Sequence, residues 1–71
     1  MLNDSYWKEY NNGERAFLYS VDKQVLAYIQ RKDNVWDCSI NIDLIAEKFY
    51  WRGIDSIEEM EWQMTLYIYN R

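Results

Sequence analysis

The sequence predicts an α+β domain: a small antiparallel sheet of three to four strands with a C-terminal helix packed on one face. Four stretches carry that prediction. VWDCSINI (35–42) alternates with a period of two. RAFLYSV (15–21) and QVLAYIQR (24–31), both rich in β-branched and aromatic residues, flank a polar pair. SIEEMEWQMTLYIYNR (56–71) opens with a helix-capping signature and then repeats its apolar residues at helical spacing.

The 71 residues form a single compact domain, 1–71, with no repeat, no proline and no linker composition. A chain this short buries only about 60% of the surface that its unfolded form exposes, so it needs an efficient core. One cysteine excludes an intrachain disulfide, and the lack of histidine excludes the common zinc-ligand sets. Rings are available instead, with four Trp, seven Tyr and two Phe, and a few of them can build a small core. A lone thiol suits a reducing cytoplasm. The sequence contains neither an apolar run long enough to span a membrane nor a leader-like start, so no membrane association is expected.

The elements follow in order. Residues 1–12 are polar and aromatic, and Tyr6, Trp7 and Tyr10 fit either a helical turn or a short strand. Asn11-Asn12-Gly13 is a turn, because Asn and Gly tolerate positive φ. Asp22-Lys23 joins the first two strands as a hairpin, and Lys32-Asp33-Asn34 turns the chain again. In 35–42, Trp36, Cys38, Ile40 and Ile42 point one way and Asp37, Ser39 and Asn41 the other, which marks a strand with one buried face. DLIAEKFYWRG (43–53) has two readings. As a strand, it places Glu47, Phe49 and Trp51 opposite Lys48, Tyr50 and Arg52. As a helix, it aligns Leu44, Ile45, Lys48 and Phe49, with Gly53 as the stop. The cluster Phe49-Tyr50-Trp51 favours the strand; the helical alternative would give a hairpin-plus-helices fold. In the last segment, Ser56 and Glu59 form an S-x-x-E capping box, and Glu58 and Glu59 suit the positive end of the helix. Ile57, Met60, Met64, Tyr67 and Ile68 share one stripe, the natural cover for the sheet. Trp62, Leu66 and Tyr69 make a second apolar stripe on the opposite side.

The sequence VLAYIQR, then Trp36 in VWDCSI, an aromatic strand, and Ile57-Glu58-Glu59-Met60 opening the helix together resemble small phage and mobile-element proteins of the β-meander-plus-helix type, including anti-CRISPR-like inhibitors. That resemblance covers roughly residues 15–71. It implies an acidic, non-enzymatic protein that binds and blocks a host protein. The strands and helix also resemble a double-stranded-RNA-binding domain. Where such domains carry Lys and Arg at the start of the final helix, however, this chain carries Asp55, Glu58, Glu59 and Glu61.

Catalysis is not expected. With no His, the usual base near neutral pH is missing, and Cys38 lies on the inward side of its strand without an activating partner. No phosphate loop, dinucleotide fingerprint or HExxH motif occurs. The Asp33–Asp37 spacing does not match a calcium loop. No cofactor and no metal are expected. The net charge of −4 disfavours direct nucleic-acid binding and favours a protein partner with a basic surface. What the resemblance implies is that this partner is a host protein, in particular a nucleic-acid-handling one with a basic groove.

The candidate partner-binding residues are Trp62, Leu66, Tyr69, Asp55, Glu58 and Glu59. The carboxylates read either as a solvated helix start or as a phosphate-like patch that meets a basic surface. The Trp62/Leu66/Tyr69 stripe is either covered by Tyr6, Trp7 and Tyr10 or exposed as an interface. Its occupant would be a foreign protein or, in a homodimer or structural assembly module, a second copy of the helix. A nucleic-acid-binding domain would need Lys8, Arg15, Lys23, Arg31, Lys32, Lys48 and Arg52 gathered on one face.

Overall fold

The computed structural model describes residues 4–70. The first three residues of the N-terminal segment and Arg71 lie outside the described residues. Five strands run in chain order as an antiparallel meander: β1 (Tyr6–Tyr10), β2 (Arg15–Tyr19), β3 (Val25–Lys32), β4 (Val35–Ile42) and β5 (Ile45–Arg52). One helix, α1 (Ile57–Tyr69), then crosses one face of the sheet.

The fold class is the one expected, but the sheet has five strands rather than three to four. The added strand is β1. Its Trp7 pairs with Leu18, and its Glu9 with Ala16. Trp7 and Glu9 point to the helix side and Tyr6, Lys8 and Tyr10 away, so rings stand on both faces and a carboxylate stands on the inner one. That arrangement erases the apolar–polar alternation by which a strand is read. Residues 43–53 form a strand over Ile45–Arg52, as the aromatic cluster suggested. The pairs Cys38↔Phe49 and Trp36↔Trp51 set its register.

The β2–β3 hairpin is looser than a two-residue turn. β2 ends at Tyr19, and Ser20 closes the loop: its N–H donates to the Gln24 carbonyl at 2.9 Å, and its carbonyl accepts from Lys23 N–H at 2.9 Å. The Asn11–Gly13 turn has positive φ at all three residues, at 54°, 55° and 85°. A Cβ at Gly13 would meet Ile57 Cγ2 at 3.6 Å, so the obstacle to a side chain there is backbone conformation rather than space.

The core is built where β2–β4 meet α1. Ala16, Leu18, Ala27, Ile29, Trp36, Cys38 and Ile40 face Ile57, Met60, Met64 and Ile68, all buried. Burying an apolar side chain of this size contributes roughly 1.5–3 kcal/mol. Trp36 is fully enclosed, and its indole N–H is satisfied by the Ile54 carbonyl at 2.9 Å. Both edge strands clamp the helix. On β1, Trp7 Nε1 donates to Thr65 Oγ1 at 3.0 Å; on the β5 side, the Tyr67 hydroxyl donates to Glu47 Oε1 at 2.8 Å. The Tyr67 ring lies tilted against Phe49 at 5.0 Å and edge-on to Trp51 at 6.3 Å. Tyr67 is therefore only half-buried, at the rim of the inner stripe.

Candidate interaction surfaces

The helix start follows from its cap. Ser56 is extended, at φ −127°, and its Oγ accepts the Glu59 N–H at 3.2 Å. Arg31 braces the approach, donating from Nη1 to the Asp55 carbonyl at 2.9 Å while its guanidinium lies 5.6 Å above the Trp36 ring. Asp55, Glu58 and Glu59 are exposed. Glu61 is separate from them: it turns inward toward Glu9 of β1. Burial, then a hydrogen bond with the Glu9 side chain and the charges of Glu9 and Glu58, push its carboxyl up to about 8.

Of the inner stripe of α1, Ile57, Met60, Met64 and Ile68 are buried as expected and Tyr67 is half-buried, and the outer stripe is not covered. Trp62 is 60% exposed and Tyr69 65%, with Leu66 half-buried between them. The N-terminal aromatics go elsewhere. Tyr6 and Tyr10 lie on the far side of the sheet, and Trp7 reaches the helix only as far as Thr65. At about 100° per residue, Glu58 falls in the same sector as Trp62, Leu66 and Tyr69. The outer face of α1 is thus aromatic along its length and anionic at its start.

Cys38 sits in the middle of the core. Burial first, and then the Asp37 charge, push its thiol up to about 12, so it is protonated at neutral pH. Among the described residues, no group of three or more His, Cys, Asp or Glu is placed to hold a metal ion. No helix among them is long and apolar enough to cross a membrane.

The second surface entered the sequence reading only as a condition, that the cations gather on one face, and its rings were not part of it. α1 occupies one face of the sheet, and no described element crosses the other. Strand register brings three rows together there: Tyr6, Tyr19 and Val25; Lys8, Phe17, Tyr28, Ser39 and Lys48; and Tyr10, Arg15, Gln30, Asp37 and Tyr50. Lys32, Val35 and Arg52 extend it at one end. The rings form a continuous cluster, with Phe17 4.7 Å from Tyr28, 5.6 Å from Tyr10 and 6.0 Å from Tyr19. The Tyr10 and Tyr19 hydroxyls are 3.1 Å apart, and that hydrogen bond is the main reason the Tyr19 phenol titrates above its usual value. Of the seven cations considered from the sequence, Lys8, Arg15, Lys32, Lys48 and Arg52 reach this face. Lys23 lies in a turn and Arg31 points to the helix side. The signal was present in the residues skipped by the core: Arg15/Phe17/Tyr19 between Ala16 and Leu18, and Lys48/Tyr50/Arg52 between Glu47, Phe49 and Trp51.

No protein-family model, no curated protein and no solved structure matches this chain.

Proposed function

We propose that the chain is a small non-enzymatic interaction protein that docks through the outer face of α1 onto a basic surface of a protein partner. The observation that supports this most is the exposure of Trp62 and Tyr69, at 60% and 65%, on a helix whose other side is fully engaged with the sheet. Trp and Tyr are favoured interface anchors, because they bury large areas at little entropic cost. Asp55, Glu58 and Glu59 flank the stripe with carboxylates, which steer the encounter toward a cationic patch and set its register. In its sharpest form, the one implied by the resemblance to phage and anti-CRISPR-like inhibitors, the partner is a nucleic-acid-handling host protein whose basic groove the helix start occupies and blocks.

The double variant Trp62→Glu/Tyr69→Glu tests this reading. Both side chains are exposed, so the variant is expected to keep the thermal unfolding of the parent. It is also expected to lose at least about tenfold in retention of the bound protein when each chain is immobilised against a bacterial lysate. Equal retention by parent and variant would remove the helix face from the interaction. Unfolding of the variant would place the stripe in the core instead.

A further inference from the structure

We propose that the open face of the sheet is a binding surface for single-stranded nucleic acid. On this surface, bases stack on the tyrosine rings and phosphates pair with Lys8, Arg15, Lys48 and Arg52. This site is on the opposite side of the molecule from the α1 stripe and does not depend on it.

Charge complementarity is the first argument. The chain as a whole carries −4. On this face, however, the register gathers Lys8, Arg15, Lys32, Lys48 and Arg52 against Asp37 alone. The excess acid is elsewhere: on α1, on the helix side of β1 and β5, and in the turns. Such a face attracts a polyanion in spite of the net charge, because screening confines each charge to roughly 10 Å of its surroundings.

The rings argue for bases as well as phosphates. Tyr6 is 45% exposed and Tyr50 74%, while Tyr10, Phe17, Tyr19 and Tyr28 are half-buried against one another. Aromatic side chains beside Lys and Arg on a flat surface are the combination that holds unpaired bases, since every base has a face to stack. A duplex hides those faces inside its stacked pairs, so the ligand whose bases reach the rings is single-stranded.

The turns give the direction. Glu14 and Asp33 lie in turns at one end of the strands, and Asp22 and Asp43 in turns at the other. A phosphate chain running along the strands would meet carboxylates at both ends. One running across them, from Lys8 of β1 to Lys48 of β5, meets cations at both edges. Four inter-strand gaps make that path about 19 Å, which suits a site of about four nucleotides.

The test is fluorescence anisotropy of a short labelled oligothymidylate titrated with the full chain. Saturable binding is expected, with affinity falling as salt rises at a slope of about −3 in log–log form for some four neutralised phosphates. Lys48→Glu/Arg52→Glu should weaken it at least about tenfold, and Tyr50→Ala about fivefold or more. All three side chains are exposed, and circular dichroism confirms the fold of each variant; Arg52→Glu alone, at a strand end, replaces the pair if the pair unfolds. Trp62→Glu/Tyr69→Glu should bind the oligonucleotide like the parent, which separates this site from the helix face. The proposal is overturned by no binding at low salt, by equal binding of the charge-reversed variants, or by full displacement with polyglutamate at the same charge concentration. That last result would show a general anion surface without base stacking.

Discussion

Glu61 is where a single side chain ties this fold to pH. It joins an edge strand to the helix, with Glu9 and Glu58 as neighbours, and Oε2 is enclosed without a hydrogen-bond partner. Its carboxyl titrates at about 8 in the folded chain against an ordinary 4.5. Between those values the native state holds a proton that the unfolded chain has released. Stability therefore falls as pH rises through the window and levels off above the folded value. Glu61→Gln keeps the shape and removes the titration. Thermal unfolding followed across this window should show a melting temperature that declines for the parent and declines less for the variant. Parallel slopes would contradict the assignment. The residue itself was legible in the sequence only as part of an acidic helix start. Its partner Glu9 lies 52 positions away by residue number (61 − 9), on a strand that no local pattern revealed.

Individual elements differ in how far local sequence determined them. β4 was readable because Trp36, Cys38, Ile40 and Ile42 alternate with polar residues and are all buried. α1 was readable because its cap and its inner stripe are both local. β5 was ambiguous because Leu44, Ile45, Lys48 and Phe49 fit a helix as well. What decides for the strand is pairing with β4, which is non-local. The turns show a related conflict. Lys23, Asp33 and Asp43 adopt φ of 65°, 57° and 55°. Asp visits this region at modest cost, whereas Lys has no side-chain hydrogen bond with which to offset it. Lys23→Asn is therefore expected to stabilise the chain by a few tenths of a kcal/mol up to about 1 kcal/mol. Denaturant unfolding should show a higher midpoint with an unchanged slope, and a lower midpoint would mean that the Lys23 side chain contributes something its backbone strain conceals.

For the whole molecule, the sum of charges misleads and their placement informs. A net −4 pointed to a protein partner and away from nucleic acid. The fold separates the signs, with Asp55, Glu58 and Glu59 on the helix side and Lys8, Arg15, Lys32, Lys48 and Arg52 across the open sheet. That separation was latent in the strand alternation, but it could be counted only once β1 was known to belong to the sheet. It also sets up a competition, because two copies could in principle pair helix to sheet or helix to helix. Dedicating the α1 stripe to a foreign partner requires that neither pairing be stable. The most direct measurement is solution molar mass by light scattering over a wide range of protein concentration, for the parent and for Trp62→Glu/Tyr69→Glu. A single-chain mass throughout, for both proteins, is the predicted result. A parent mass that rises toward two chains with concentration, and returns to one in the variant, would contradict it and assign the helix face to self-association.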